Sequence, residues 1–96
     1  MVCQLTIFFV LINLKPDEEG LEEVEAEVNR IPHVLESHIV FGRCDIIAKI
    51  ETDTMSDLAE IIRYKIRPIS GVEKTETLTV WEEGQKQKEN QKLSIE

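Results

Sequence analysis

The sequence predicts an α+β fold of the ferredoxin-like type, in which a four-stranded antiparallel sheet carries two helices on one face. Two observations support this prediction. Four segments contain the alternating or continuous apolar runs of strands, and two others have apolar residues at the three- and four-residue steps of helices. The segments follow one another as strand, helix, strand, strand, helix, strand, which is the order of a split β-α-β unit.

The first strand lies in "QLTIFFVLINL", where both alternating faces are apolar. The two faces consist of Leu5, Ile7, Phe9 and Leu11, and of Phe8, Val10, Ile12 and Leu14. A strand of this kind must be covered on both sides. Pro16 suits the first position of a helix, and the acidic residues that follow it also favour a helix N-terminus. Apolar residues in "LEEVEAEVNRI" recur at helical steps, so we expect this helix to continue as far as Pro32.

The next segments, "HVLESHIVFG" and "RCDIIAKIE", predict an antiparallel hairpin that turns near Gly42. The second helix follows, because Thr54 lies three residues before Asp57 in a capping pattern and an apolar stripe continues from there to Pro68.

Gly71 then turns the chain into the last strand, within "VEKTETLTVWEE". Residues 84–96 are polar and lack apolar periodicity. We therefore predict one domain over residues 1–83, followed by a polar tail.

One face of the predicted sheet has no cover from this chain, because both helices lie on the other face. An apolar sheet surface of this size needs a partner. The sequence therefore predicts a homodimer in which two sheets pack face to face. We also expect the threonines of the last strand, Thr75, Thr77 and Thr79, on this uncovered face.

The composition disfavours several classes of function. A net charge of −8 opposes direct contact with nucleic acid, since such contact depends on basic residues. No apolar run reaches the length of a membrane span and no leader pattern opens the chain, so we expect a cytoplasmic protein. Cys3 and Cys44 lack a C-x-x-C pattern and neighbouring histidines, which predicts two buried thiols and no metal or cofactor. No catalytic constellation is present, so we expect no enzyme.

Four stretches, "IPHV", "GRCDI", "KIRPISGV" and "TETLTV", carry a more specific pattern. Together they make residues 6 to 82 resemble the ligand-binding domain of the Lrp/AsnC family of feast/famine transcription regulators, also called the RAM domain. The resemblance implies dimers that assemble into larger oligomers and bind amino-acid effectors between dimers. Because the first strand begins within a few residues of Met1, the chain is similar to the stand-alone members, mainly archaeal, that have no helix-turn-helix domain of their own.

The resemblance also implies a set of effector-binding residues. The family's Gly-x-x-Asp pattern corresponds to Gly42 and Asp45, and its polar residues of the last strand correspond to Thr75 and Thr77. An amino acid offers an ammonium for Asp45 and a carboxylate for the hydroxyls and for backbone N–H groups near Gly42. Arg43 is a second candidate for the carboxylate.

The position before the aspartate is usually aromatic in the family, and here it is Cys44. Loss of the ring would enlarge the pocket, change its selectivity or indicate that the pocket is unused. Each candidate also has a purely structural interpretation: a turn for Gly42, a surface ion pair for Arg43, a hairpin cap for Asp45 and strand propensity for the threonines.

Three functional hypotheses follow. The first is an amino-acid-binding and assembly domain that modulates transcription through ligand-dependent assembly, alone or together with full-length Lrp/AsnC regulators. The second is a structural or protein-interaction module with a vestigial pocket. The third, a small ferredoxin-like enzyme, would require a cavity between helices and sheet, and the dense apolar stripes disfavour one.

Overall fold

The computed structural model describes residues 5–16 and 20–81. The predicted tail from residue 84 lies outside the described residues. The elements are β1 (Thr6–Leu14), α1 (Leu21–Asn29), β2 (Val34–Ile39), β3 (Ile46–Thr52), α2 (Met55–Ile61), a π-helical segment (Ile62–Ile66) and β4 (Val72–Thr79). This order confirms the predicted ferredoxin-like α+β fold.

The four strands form one antiparallel sheet with the order β2-β3-β1-β4, so β1 lies at its centre. Its last residues have neighbours on both sides: Ile12 pairs with Ile46 of β3, and Leu14 pairs with Val72 of β4. The register between β1 and β4 shifts between Asn13 and Leu14. The end of β1 is therefore irregular, and the pairing there is completed by other groups.

The core lies between the two helices and one face of the sheet. It contains alternate residues of β1 and β3 together with the apolar stripes of the helices: Phe8, Val10, Ile12, Ile46, Ala48, Ile50, Val24, Val28, Ile31, Leu58, Ile61 and Ile66. Phe8, Val10 and Ile12 of β1 face the helices and are 0–1% exposed. The predicted assignment of the two faces of β1 is therefore confirmed.

The starts of the two helices differ in how well the sequence predicted them. α1 begins at Leu21 and not beside Pro16, because Gly20 is its N-cap and has a left-handed backbone (φ 91°) through which a helix cannot continue. Pro16 instead lies in a turn after β1. Thr54 caps α2 as predicted, since its hydroxyl oxygen accepts the Asp57 backbone N–H at 3.0 Å.

α2 continues into the π-helical segment and ends there. The Arg67 N–H donates to the Ile62 carbonyl at 2.9 Å, a bond that spans five residues. Pro68 follows and has no N–H to extend the helix, as predicted. Neither helix in the described part of the chain is long and apolar enough to cross a membrane.

The face of the sheet opposite the helices, which we call the outer face, is apolar along β1. Ile7, Phe9 and Leu11 are partly exposed there, and Leu78 of β4, which pairs with Phe9, is 49% exposed. Ile47 of β3 pairs with Leu11 and adds to the same surface. No described element covers this face.

The prediction that the threonines of the last strand lie on the outer face is wrong. Thr75 pairs with Ile12, Thr77 with Val10 and Thr79 with Phe8, which places all three on the helix side. Side chains alternate between the two faces of β4, so the sequence places the threonines on one face and Leu78 on the other. It does not indicate which of these faces packs against the helices. The register with β1 decides that, and a shift by one residue would reverse it.

Candidate functional site

Three parts of the chain that are distant in sequence meet where β1 ends. The Leu14 N–H donates to Oδ2 of Asp45 at 2.9 Å. The next amide, that of Lys15, donates to the Gly71 carbonyl at 2.8 Å. The β2–β3 hairpin and the turn before β4 are thus both bound to the same end of the central strand.

Asp45 serves as a side-chain extension of the β1–β3 ladder. Its own N–H donates to the Ile12 carbonyl at 3.0 Å, and its partly buried carboxylate then replaces the missing backbone acceptor for Leu14. The Asp45 side chain thus caps the end of β1; the structural interpretation, in which it holds the hairpin, stays a prediction. The bond also fixes the orientation of a negative charge at the end of β1.

The hairpin loop that contains Gly42 and Arg43 extends into solvent. The Val40 N–H closes it by donating to the Asp45 carbonyl at 3.0 Å. Gly42 has φ 146°, a conformation that side chains rarely adopt, and no atom lies within 4 Å of the position a Cβ would take. Glycine is thus required by the turn and not by close packing. Arg43 is exposed and forms no salt bridge with a described residue.

Sequence reasoning overlooked Phe41, which is 97% exposed beside Gly42. Its exposure could have been predicted from the sequence, because an aromatic residue directly before a turn glycine has little opportunity for burial.

Thr75 and Thr77 do not join the hairpin residues in one site within a single chain. Both are partly buried on β4, while Gly42, Arg43 and Asp45 lie next to β3. β1 separates the two groups, so their backbones are roughly 10 Å apart, which is two strand spacings.

A depression of about 180 Å³ adjoins Asp45, and we call it the β1-end pocket. It is lined by Leu14, Lys15, Pro16, Leu21 and Asp45. Of these, sequence reasoning identified only Asp45 as a site residue. Lys15 could have been found as the one cation directly after the central strand, but only the fold shows that it adjoins the hairpin.

Cys44 is a buried neighbour of the site, with 6% of its surface exposed. Burial raises the pKa of its thiol above the ordinary value of 9.0, and the negative charges of Asp45 and Glu76 raise it further. The thiol is therefore neutral near pH 7, in agreement with the predicted role of a small apolar residue. Within the described ranges, no cluster of His, Cys, Asp and Glu side chains is arranged to hold a metal ion.

Comparison with known proteins identifies the family. A model of the Lrp/AsnC ligand binding domain matches residues 7–89. An uncharacterized HTH-type transcriptional regulator of Pyrococcus furiosus is 40% identical over 75 residues, which are 76% of this chain and 49% of that protein. The chain thus spans about half the length of the curated relatives it matches.

Two solved structures support the same assignment of the fold. A hypothetical protein of Pyrococcus horikoshii is 32% identical with a TM-score of 0.70, over 82% of this chain and 93% of that one. A transcriptional regulator of Neisseria meningitidis in complex with L-Met has a TM-score of 0.72 at 18% identity, over 81% of this chain and 51% of that one. At this low identity, the second comparison shows the fold alone.

The bond between Asp45 and Leu14 predicts different effects for two substitutions. Asp45→Ala leaves the Leu14 N–H without its acceptor and should lower the free energy of unfolding by about 1 kcal/mol, or the Tm by about 4–8 °C in a domain of this size. Asp45→Asn retains an acceptor oxygen, so its loss of unfolding free energy should be less than half of the loss in Asp45→Ala. Thermal unfolding followed by circular dichroism measures both, and equal melting temperatures for wild type and Asp45→Ala would contradict the role of the bond.

The raised pKa of Cys44 predicts slow thiol chemistry and a loss of stability in alkali. In a Cys3→Ala background, Cys44 should react with a thiol reagent at pH 7–8 much more slowly in the folded than in the unfolded chain. The unfolded chain loses the thiol proton at a lower pH than the folded chain does. The stability gained from the neutral thiol is thus complete below pH 9.0 and is lost as the pH rises through the folded-state pKa.

The matched control is Cys3→Ala with Cys44→Ala, which should lose less stability between pH 8 and pH 10.5. Equal losses in the two chains would show that Cys44 contributes nothing to the alkaline transition.

Proposed function

Because the chain belongs to the family of Lrp/AsnC ligand-binding domains, we propose that it binds a free amino acid at the end of β1 and that this binding controls the assembly of dimers. The observation that carries the proposal is the oriented, partly buried carboxylate of Asp45 beside the β1-end pocket. An α-ammonium group needs such an anion, and an anion held by a backbone N–H is already arranged to accept it. A Neisseria regulator that shares the fold was solved in complex with L-Met.

The site is divided within one chain, which favours a role for assembly. Asp45 lies at one edge of β1, and Thr75 and Thr77 lie beyond the other edge. A ligand that needs both groups requires a second copy to supply one of them. Amino-acid binding between dimers would then depend on oligomer formation and would stabilise the oligomer in return.

The first step of assembly in this proposal is a dimer through the outer face. The apolar residues of β1 run along its centre, while Lys49 and Glu51 of β3 and Lys74 and Glu76 of β4 add charges of both signs. An apolar centre with charged surroundings is the usual composition of an interface. Charges of both signs also allow a self-complementary contact about a two-fold axis.

The proposed role in transcription is indirect. A net charge of −8 opposes DNA binding by this domain. The curated relatives are named HTH-type transcriptional regulators, and the chain matches about half of their length. Association with such regulators through the shared domain would let the bound amino acid modulate their assembly. In this role the domain regulates and does not catalyse.

A second candidate function is a protein-interaction module whose pocket is not used. Two observations favour it: Oδ2 of Asp45 is already bound to Leu14, and Phe41 is 97% exposed at the hairpin tip. The two candidates differ in their response to amino acids, because only the first requires stabilisation by a ligand.

The proposal predicts that at least one common amino acid stabilises the folded chain. At a free concentration about 100 times Kd, the free energy of unfolding should rise by about 2.7 kcal/mol. Thermal unfolding in the presence of each amino acid measures this rise. Asp45→Asn should weaken binding about tenfold, because a neutral acceptor replaces a charged one, whereas Asp57→Asn on α2 should not change it. A screen in which no amino acid raises the melting temperature would exclude the effector role.

The outer face predicts a dimer at micromolar concentration. Phe9→Asp should weaken dimer formation at least about 100-fold, since it buries two unpaired carboxylates in a two-fold interface. The fold should remain intact, because Phe9 points away from the core. Met55→Asp, at a residue 60% exposed on α2, is the control and should leave the dimer unchanged. Light scattering that finds a wild-type monomer would contradict the outer face as an interface.

A further inference from the structure

The solvent-exposed side of the two helices, which we call the helix face, carries two patches of opposite charge. Arg63, Lys65 and Arg67 form a basic patch on and directly after the π-helical segment. Glu22 and Glu23 form an acidic patch in the first turn of α1. All five residues are exposed. We propose that the helix face binds the helix face of a second copy of this chain, with the acidic patch of each copy on the basic patch of the other.

Neither patch is neutralised by the described part of its own chain. The salt bridge within the described ranges joins His38 to Glu36 and includes no residue of either patch. The guanidinium carbon of Arg63 lies 6.0 Å from the ring centre of Tyr64. The basic patch is also a local exception in a chain whose net charge is −8. Its natural partner is therefore an acidic surface, and the chain itself presents one.

Both patches lie at the end of the domain where β1 stops. Leu21, the first residue of α1, lines a pocket together with Leu14, the last residue of β1. The π-helical segment reaches the same end, because the turn after it leads to Val72, which pairs with Leu14. The acidic patch of α1 and the basic patch after α2 are therefore at the same level on two different helices.

This placement allows a self-complementary contact. A two-fold axis parallel to the helices, between two facing helix layers, puts α1 of one copy on α2 of the other and keeps the two β1 ends at the same level. Each acidic patch then meets a basic patch, and the contact occurs twice in one interface. The other end of the layer matches in the same way, since Arg30 follows α1 and Asp57 lies in the first turn of α2.

Tyr64 adds an aromatic anchor between the charges. Its side chain is 64% exposed, and it lines two depressions of about 270 Å³ and about 240 Å³ along α2. An aromatic residue surrounded by charged groups is a frequent arrangement at the centre of an interface. The charges would fix the orientation of the two copies, and Tyr64 would supply buried area.

The helix-face contact goes beyond the proposed dimer and does not depend on amino-acid binding. The outer face and the helix face lie on opposite sides of the sheet, so one chain can use both. Dimers joined through their outer faces would present two helix faces and could stack into tetramers and longer assemblies. The two contacts also differ in chemistry, because exposed ion pairs weaken with salt and an apolar contact does not.

Sedimentation velocity of the full chain at about 20 mM and at about 0.5 M salt tests the charge dependence. We expect assemblies larger than a dimer at the lower salt concentration. The Kd of this step should rise at least about tenfold at the higher salt concentration, while the outer-face dimer remains. In a Phe9→Asp background, which removes the outer-face dimer, the same salt-sensitive step should appear as an equilibrium between monomer and dimer.

Two charge-reversed chains test which patches meet. The first carries Arg63→Glu with Lys65→Glu, and the second carries Glu22→Lys with Glu23→Lys. Each chain alone should lose the salt-sensitive step by at least about 100-fold, and an equimolar mixture should restore it, because every contact in a mixed pair again joins opposite charges. The second chain is less acidic than the wild type, so it would associate more strongly if net charge alone governed the step.

Two further variants keep the test independent of folding defects. Melting temperatures identify a reversed chain that fails to fold, and Glu22→Gln with Glu23→Gln then replaces the second chain. These neutral residues should still weaken the step at least about tenfold. Tyr64→Ser should weaken it at both salt concentrations, because the ring contributes area and not charge.

The outcomes separate this inference from the proposed function. A wild-type assembly that does not respond to salt would overturn the inference, as would reversed chains that assemble like the wild type. A mixture that fails to restore association would overturn the pairing of the two patches. In each of these cases amino-acid binding and the outer-face dimer would stand, since neither uses the helix face.

Discussion

The hydrogen bond from the Leu14 N–H to Asp45 Oδ2 joins the central strand to the hairpin at the point where regular pairing stops. One residue later, the bond from Lys15 to Gly71 joins the same strand to the turn before β4. Together they bring the two loop segments that carry the family pattern to one end of the sheet. Without the bond to Leu14, the Asp45 backbone would still be held by Ile12, but its carboxylate would have no fixed position at the end of β1.

The two faces of β1 divide the remaining roles of the chain. Phe8, Val10 and Ile12 on its helix-facing side build the core and are 0–1% exposed, so substitutions there act on folding. Its outer-face residues are only partly covered within one chain, so substitutions there would act on association in the proposed dimer. The pocket lies at neither face but at the strand's end, where a change in ligand contact need not disturb the core. Substitutions on the outer face would therefore alter the proposed assembly without disturbing the core.

Much of the fold could be predicted because local patterns determine it. The continuous apolar run of β1, the threonine cap of α2 and the Gly42 turn all appear as predicted, each for a reason confined to a few residues. Two predictions failed where the deciding information was not local. α1 begins at Leu21 because Gly20 adopts a left-handed conformation, and glycine alone does not reveal which conformation it will take. The threonines face the helices because of the register between β4 and β1, which alternation alone leaves undetermined.

The candidate site could also be predicted only as far as local patterns determine it. Sequence reasoning reached Asp45 through the family pattern, and the structure gives that residue a backbone partner that no pattern specifies. Sequence reasoning did not identify Lys15, Pro16 or Leu21, because they become neighbours of Asp45 only when β1 pairs with β3 and α1 packs on the sheet. Cys44 is buried, so a substitution there acts first on the packing beneath the hairpin loop.

The most direct test of amino-acid binding at the end of β1 is a titration of the ¹⁵N-labelled chain with L-leucine and L-methionine, followed by NMR. We expect the largest shifts at the amides of Leu14, Lys15 and Asp45, with smaller changes along α2. Absence of any saturable shift, or saturable shifts confined to α2 and the π-helical segment, would contradict this account of the site.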